Sequence, residues 1–390
     1  MANFSIGGDA DYLRSRIAGV SARFDPPYWR SIYREKRFPV EYWDAIAAEG
    51  LFGSLIEKRW GGLERNLLDL SLAVEETAEH YAGLASYLYL SGSLVSTIFQ
   101  TNGSEDQKRD LLPRLARGEL KISIALTEEA SGFDSSAIQT SAEKKGSGGT
   151  YTINGSKIFV NNVDRADYLL VFARTTPQDQ SPKKSLGVSM FLVHATNPSI
   201  KSAKLDKVGW DFINNYALEI KDLEVDSENI VGEIDRAWYN IVDSFNMDRV
   251  ATAASLVGTG RLALNQASEY ASRRKVFGRA VGSNQGIQFP MADAAAQLEA
   301  AETMMLKAAS MAATGASYVN EANYAFLSAE SAASAATDRA MQAFGGHGYY
   351  SDYDVERYWR DVRAHRVHPI SEELALALVA ERGLNLPRSY

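Results

Sequence analysis

The spacing of apolar residues divides the chain into three parts. In residues 10–120 the apolar positions, among them Tyr42 and Ile46, recur at helical intervals within long Ala- and Glu-rich stretches, which predicts helices. In residues 122–231 short apolar runs alternate with clusters of Gly, Asn, Asp and Pro, which predicts β-structure. Residues 233–345 contain few helix breakers and are predicted to be helical again.

This order of elements predicts an α+β fold, mostly α, with separate layers and no parallel α/β sheet. We expect domains at residues 1–121, 122–232 and 233–390. A helix is predicted from about Asp248 to Arg274, where Ala, Gly and Ser would let neighbouring helices approach closely. Residues 143–149, EKKGSGG, are predicted to form a flexible hairpin loop.

Composition narrows the class of protein. The 390 residues include 41 Lys and Arg against 49 Asp and Glu, a net charge of −8, so no nucleic-acid-binding surface is expected. The absence of cysteine excludes disulfides, thiolate metal sites and cysteine nucleophiles. No cluster of His, Asp and Glu has the spacing of a metal site. The N-terminal residues lack an apolar signal region and no unbroken apolar run approaches about 18 residues, so a cytoplasmic protein without a membrane span is expected.

Two segments carry the candidate chemistry. Residues 125–134, ALTEEASGFD, combine a Thr, carboxylates and a Gly-containing turn, which suits a loop whose backbone N–H groups face a polar or anionic group. Gly132 alone would equally serve an ordinary tight turn. Residues 154–162, NGSKIFVNN, follow in the β-rich part. The order and spacing of the two segments favour a binding site.

These two segments resemble the signatures of the acyl-CoA dehydrogenase family of flavoproteins. Three further motifs stand in that family's order: RKVFG at residues 274–278, with Gln285 downstream, QAFGGHGY at residues 342–349, and the pair at residues 360–361, Arg-Asp. Each motif alone is weak, but five in order are specific. The likeness covers nearly the whole chain.

The resemblance implies an N-terminal helical domain, a middle β-barrel-like domain and a C-terminal four-helix bundle, assembled as a tetramer or dimer, with FAD between the last two domains. The residues implied to bind FAD are Leu126, Thr127, Gly132, Phe133, Phe159, Asn161, Arg274, Phe277, Gln285, Gln342, Gly345, Gly346, Ser371 and Glu373. A pyrophosphate needs a cation and close backbone, which Arg274 and the two glycines can supply. The flavin ring needs a flat apolar wall, which Phe159 can provide.

The implied reaction removes two hydrogens from adjacent carbons of an acyl thioester, so the enzyme needs a base at the α-carbon and a polarised carbonyl. The family's usual Glu falls at Pro369, which offers neither a carboxylate nor an N–H donor. Some relatives place the base on an earlier helix, and that position is Asp248 here. Glu372, Glu373 and His368 remain alternatives to Asp248.

The resemblance also implies substrate contacts and partners. Arg249 matches an Arg near the CoA chain, and Tyr89 lies in the segment that lines the acyl pocket of relatives, where tyrosines favour a short, branched or cyclic acyl group. Phe133 replaces the usual Ser, which leaves acyl-CoA and a carrier-protein-bound acyl group both open as substrates. Electrons would pass to an electron-transfer flavoprotein.

Three interpretations of function follow. The first is an acyl-CoA dehydrogenase. The second keeps the fold and FAD but performs divergent chemistry, as an oxidase, a monooxygenase or a non-redox thioester lyase or desulfinase, which Pro369 and Phe133 favour. The third is not an enzyme but a helical scaffold or a nucleic-acid-associated relative, and the acidic balance of the chain argues against nucleic acid.

Overall fold

The predicted order of helices, sheet and helices is confirmed by the computed structural model, which describes residues 11–146, 148–368 and 370–389. The N-terminal part consists of helices α1 (Asp11–Ser21), α2 (Pro26–Glu35), α3 (Val40–Ala48), α4 (Leu67–Thr77), α5 (Ser86–Asn102) and α6 (Glu105–Ala116). Local sequence explains their ends. Asp25 accepts a hydrogen bond from the N–H of Tyr28 and so caps α2, while Ser104 and Gln107 form a capping box at α6.

The middle part is an eight-stranded sheet. Its strands are β1 (Ile122–Ala125), β2 (Ser141–Lys144), β3 (Thr150–Asn161), β4 (Tyr168–Arg174), β5 (Val188–His194), β6 (Ile200–Leu205), β7 (Asn215–Asp226) and β8 (Ile230–Val231). The order is β6-β7-β3-β2-β4-β5-β8, with β1 paired to β4. Strands β2 and β3 pair antiparallel, so the predicted loop connects a hairpin. The pairs β1–β4 and β2–β4 are parallel.

The C-terminal part is helical. It consists of α7 (Ala237–Arg273), the short hairpin strands β9 (Lys275–Val276) and β10 (Arg279–Ala280), and helices α8 (Gln285–Ala313), α9 (Val319–Phe344), α10 (Val355–Arg363) and α11 (Glu372–Gly383). Helix α7 begins at Ala237 rather than near Asp248, because the residues before the Ala-rich stretch also bury an apolar face of the helix, including Ile241.

Small residues on α7 allow the close packing that the sequence predicted. A Cβ at Gly258 would stand 2.5 Å from the carbonyl oxygen of Glu75 on α4, and one at Gly260 would stand 2.8 Å from Leu298 on α8. Helix α7 thereby joins the N-terminal and C-terminal helices in one continuous core. The proposed domain boundaries themselves stay a prediction.

One helical stretch in the described part of the chain, Leu67–Asn102, is long and apolar enough to cross a bilayer by length and composition. Of its apolar window, 83% is buried inside the protein, which is typical of a core helix. Polar residues interrupt this stretch, so a search for an unbroken apolar run does not find it.

Candidate active site

A buried ion pair fixes the first of the two candidate segments. The Lys157 ammonium of β3 lies 2.7 Å from Glu128 and also donates to the carbonyl of Leu126. Glu128 further accepts from the backbone N–H groups of Gln139 and Thr140. Burial lowers the pKa of Lys157 to about 8. Burial alone would raise the pKa of Glu128, but the combined effect of Lys157 and the N–H donors is larger, so the pKa of Glu128 is lowered. The loop at residues 126–134 is therefore anchored from inside.

The outer half of this loop is open. The N–H of Ile158 donates to the carbonyl of Thr127, which holds the loop against β3. Gly132 has φ +50, and a Cβ there would meet nothing within 4 Å. The Ser131 hydroxyl is shielded from solvent and has no hydrogen-bond partner among the described residues, while the Phe133 side chain is about half exposed. Open backbone beside an unsatisfied hydroxyl suits a bound polar group.

A strained bulge presents an aromatic ring in the second segment. The pairing of β3 with β7 shifts register between Lys157 and Val160, and Phe159 inside this bulge has φ +59. A bulky residue rarely adopts this left-handed backbone. Its ring is nevertheless 63% exposed, so packing in this chain does not account for the strain. The adjacent Asn161 accepts a hydrogen bond from Asn215 of β7.

A further group of predicted residues lies where α7 and α9 end. Tyr270, about one turn before Arg274, stacks on Phe344, the residue before Gly345, with ring centroids 4.2 Å apart, so the ends of α7 and α9 pack together. The predicted cofactor residues in this region are all exposed to solvent: Arg274, Phe277, Gln285, Gln342, Gly345 and Gly346. Phe277 and Gly278 both have positive φ at the tip of the β9–β10 hairpin, which projects the Phe277 ring fully into solvent. Together these residues form an exposed surface near the end of α7, the start of α8 and the end of α9.

Asp248 lies inside the protein, on the face of α7 that meets α5. Burial raises the pKa of its carboxyl to about 7, and the charge of Arg249 opposes that shift only partly. Burial, and to a smaller extent the charge of Asp248, raise the pKa of Tyr87 on α5, so the two side chains are within range of each other's charge. No hydrogen bond from the described residues reaches the Asp248 carboxylate. A carboxyl of this kind can exchange a proton near neutral pH.

Tyr87, which feels the charge of this carboxyl, packs among other aromatic rings. The Tyr87 ring centroid lies 5.0 Å from that of Trp210 and 5.9 Å from that of His368. Trp210 lies 5.1 Å from His365 and 5.3 Å from His368. We call Tyr87, Trp210, Asp248, His365 and His368 the Asp248 cluster. It combines α5, α7, the loop before β7 and the loop before α11.

Asp361 of the Arg-Asp motif holds Trp210 in place. Its carboxylate accepts from the Trp210 backbone N–H and from the Tyr33 hydroxyl of α2, while its carbonyl accepts from Trp210 Nε1 at 2.9 Å. Trp210 has φ +50, a left-handed conformation that these bonds stabilise. Burial raises the pKa of Asp361 to about 6, although the donors oppose this. Asp361 therefore connects all three parts of the chain beside the cluster.

The loop before α11 contains the other candidate acids. Glu372 pairs with Arg366 at 2.6 Å, and Glu373 is exposed in the first turn of α11. Ser371 caps α11 by accepting from the N–H of Leu374. Pro369 lies outside the described residues. Asp248 is thus the candidate base that is buried and free of an ion pair.

The two tyrosines near the start of α5 face different parts of the protein. Tyr89 is fully buried, with its hydroxyl 2.8 Å from Ser54 in the N-terminal core, whereas Tyr87 is the tyrosine beside Asp248. Arg249 donates to Asn246. Tyr87 was expected only as part of the segment that lines the acyl pocket of relatives. Trp210 and His365 were assigned no role, although His365 and His368 are two of only five histidines and stand close together in the sequence.

Comparison with known proteins identifies the class. Family models for acyl-CoA dehydrogenase match at residues 9–119 (N-terminal domain), 123–223 (middle domain) and 235–384 (C-terminal domain). The acyl-CoA dehydrogenase fadE12 of Mycobacterium bovis is 32% identical over 97% of this chain and 96% of its own length. The structure of butyryl-CoA dehydrogenase from Megasphaera elsdenii matches with a TM-score of 0.91 at 29% identity, covering 98% of this chain and 100% of that one.

The chain belongs to the acyl-CoA dehydrogenase family, whose members are flavoproteins. It is accordingly an oxidoreductase of the class that acts on the CH–CH group of donors. PigA, solved with FAD and proline, matches with a TM-score of 0.92 over 98% of this chain and 99% of that one, but its 23% identity carries a likeness of fold alone.

Proposed function

We propose that this chain is a FAD-dependent acyl-CoA dehydrogenase that introduces an α,β double bond into an acyl thioester. The observation that carries the proposal is Asp248, a buried carboxyl with a pKa of about 7 and no ion-pair partner among the described side chains, in a chain of this family. The reaction releases the α-hydrogen as a proton and the β-hydrogen with its electron pair. Asp248 is proposed to accept the proton.

The residues present fit FAD. The open backbone at Gly132, the unsatisfied Ser131 hydroxyl and the exposed ring of Phe159 would hold the flavin end, together with Leu126, Thr127, Phe133, Asn161, Ser371 and Glu373. Arg274 and the exposed Gly345–Gly346 backbone would receive the diphosphate, with Phe277, Gln285 and Gln342 nearby. When bound, FAD supplies the hydride acceptor.

The cluster prepares Asp248 for proton transfer. Burial removes water from Asp248, and this raises the pKa of the carboxyl towards the working pH, where a general base is most effective. The charge of Arg249 keeps that pKa from rising further. We propose that Arg249 lies near the CoA chain and Tyr87 beside the acyl group, with Tyr89 supporting the pocket from behind.

Anaerobic mixing of the FAD-loaded protein with a panel of acyl-CoA thioesters tests this proposal. The flavin absorbance should bleach with at least one of them, and the rate should rise about tenfold per pH unit below about pH 7 and level off above it. Asp248→Asn should abolish bleaching, while Asp243→Asn, an exposed acid on the same helix, should not. Bleaching at the normal rate in the Asp248 variant would remove it as the base.

Three further assignments belong to this proposal. Electrons would pass to an electron-transfer flavoprotein, and the chain would act as a homo-oligomer, a tetramer or dimer, in the cytoplasm. The exposed surface around Phe277 and Tyr349 supports oligomer formation, since large exposed apolar side chains favour a partner. Light scattering and electron transfer to a purified electron-transfer flavoprotein test these assignments.

Phe133 favours a second candidate, divergent chemistry on the same fold and cofactor. A half-exposed phenyl ring stands where relatives offer a hydroxyl, and it cannot donate a hydrogen bond to substrate or flavin. An oxidase or monooxygenase would show rapid reaction of the reduced flavin with oxygen. A non-redox lyase or desulfinase would turn over without a change in flavin absorbance.

A further inference from the structure

Two imidazole nitrogens in the Asp248 cluster are buried without a partner. His365 Nε2 and His368 Nδ1 are both closed off from solvent, and neither has a hydrogen-bond partner among the described residues. His365 is wholly buried. An unsatisfied buried polar atom costs stability, and buried polar groups are normally paired, so two of them in rings that pack against Tyr87 and Trp210 call for an explanation.

The chemical character of His365 Nε2 follows from the other ring nitrogen. His365 Nδ1 lies 3.1 Å from the backbone carbonyl oxygen of His368, and a carbonyl only accepts, so Nδ1 carries the proton. In a neutral imidazole the second nitrogen is then an acceptor. Burial lowers the pKa of His365 to about 3, which keeps the ring neutral at physiological pH. Nε2 therefore needs an O–H or N–H donor.

The surrounding chain is poor in donors for this nitrogen. The ring neighbours of His365 are Trp210, whose Nε1–H is taken by the Asp361 carbonyl, His368, and Tyr87, whose ring centroid is 6.5 Å away and whose hydroxyl does not hydrogen-bond to this nitrogen. Residue 369 is a proline and has no N–H to offer. A pocket for a plain hydrocarbon chain would be cheaper to build from Phe or Leu, because those side chains leave no polar atom unsatisfied.

We propose that His365 Nε2 receives a hydrogen bond from the substrate itself, so that the acyl group carries a hydroxyl or N–H donor beyond the reacting carbons. This inference rests on the proposed function, because it names the substrate class of the same site. The ring centroid of His368 lies 6.2 Å from that of His365, and its own unpartnered nitrogen, Nδ1, provides a second polar contact. Tyr87 and Trp210 provide the apolar walls.

Matched thioester pairs test the proposal on the FAD-loaded wild-type protein. Pentanoyl-CoA is compared with 4-hydroxybutanoyl-CoA and 4-aminobutanoyl-CoA, and hexanoyl-CoA with 5-hydroxypentanoyl-CoA, so that a methyl group is exchanged for a donor. The rate and half-saturation concentration of flavin reduction are measured. The ratio of this rate to the half-saturation concentration should be roughly tenfold or more higher for a donor-bearing member than for its hydrocarbon partner, because a site built to hydrogen-bond a substrate discriminates against the analogue without that group.

Variants then assign the preference to His365. In His365→Asn the amide can still donate to the His368 carbonyl, but no acceptor reaches the place of Nε2, so the preference should fall to about threefold or less. His365→Gln keeps an acceptor at that distance and should retain a preference. His194→Asn, at an exposed histidine stacked on Tyr168, is the control and should behave as wild type.

Each outcome decides between the ideas. If both members of every pair reduce the flavin at similar rates, the inference is overturned and an ordered water is the partner of His365 Nε2. The proposed function would remain intact in that case. A preference for the donor that survives unchanged in His365→Asn would overturn the assignment to this nitrogen. No reduction by any thioester would reject the proposed function and the inference with it.

Discussion

Replacing Asp248 by Asn should make the protein more stable at alkaline pH while removing its activity. Burial raises the pKa of this carboxyl from its ordinary value of 3.8 to about 7 in the folded protein. Between these two values the folded chain binds more protons at this site than the unfolded chain does. By linkage, the free energy of unfolding then falls as pH rises through this window, and the full penalty is present above about pH 7.

The size of the penalty follows from the shift. A change of about three pKa units at about 1.36 kcal/mol each gives roughly 4 kcal/mol. For one cooperative transition of a chain this long, that corresponds to a Tm difference of about 5 °C. The Asn amide also has to be buried, which costs a constant amount at every pH. The quantity to examine is therefore the pH dependence of the difference between variant and wild type.

Thermal unfolding of the FAD-free protein from about pH 4 to pH 9 provides the assay. The Tm of Asp248→Asn minus that of wild type should increase steadily up to about pH 7 and then stay level. Other groups that titrate in both proteins, such as Glu75, whose pKa burial raises to about 8, cancel in this difference. Asp243→Asn on the exposed side of the same helix should give a nearly flat difference. A flat difference for Asp248→Asn as well would refute the buried carboxyl described here, and with it the basis for the proposed base.

Three further substitutions examine the cofactor surface and the helical core. Lys157→Met leaves the Glu128 carboxylate buried without its cation, so it should cost roughly 3 kcal/mol of stability and lower the FAD content of the purified protein. Adding Glu128→Gln to this variant should recover most of the loss, as measured by Tm and flavin absorbance. Phe159→Gly relieves the left-handed backbone, so the stability of the FAD-free protein should stay the same or rise by up to about 1 kcal/mol. The same variant should bind FAD more weakly in a titration. A clear loss of stability would instead show that the ring is part of the core. Arg261→Ala removes the cation that contacts four glutamates of α4, α8 and the segment after α4, including Glu75 at 2.6 Å, and should cost about 3 kcal/mol. Arg261→Lys keeps the positive charge and should cost less, whereas equal losses of Tm in the two variants would exclude an electrostatic cause.

Apolar spacing predicted the layers because several elements bury one recognisable face, as α2 does with Trp29, Ile32 and Tyr33 and as β7 does at alternating positions. The same reasoning could not choose between Tyr87 and Tyr89. Helix α5 is buried all round near its start, where Tyr87, Leu88, Tyr89 and Leu90 are each less than about a tenth exposed, so its sequence has no polar side to set the rotation. Packing alone turns Tyr87 towards Asp248 and Tyr89 towards Ser54.

The rest of the Asp248 cluster was out of reach of the sequence for another reason. Trp210 and His365 are far apart along the chain and belong to no shared motif. They meet because Asp361 draws Trp210 into a left-handed backbone conformation beside the loop before α11. The Arg-Asp motif was visible in the sequence, but its hydrogen bonds to Trp210 are a tertiary property.

The two histidines also bear on how Asp248 can act as a base. Burial lowers the pKa of His365 to about 3 and that of His368 to about 4, so both rings are neutral when the carboxyl titrates near pH 7. A protonated imidazole within range of Asp248 would favour the carboxylate and lower the pKa of Asp248 towards its ordinary value, which would make it a weaker base. A neutral His365 can therefore accept a hydrogen bond from a polar acyl group without weakening the carboxylate that takes the proton of that group. Substrate recognition and basicity are compatible in this cluster only while the histidines stay buried and uncharged.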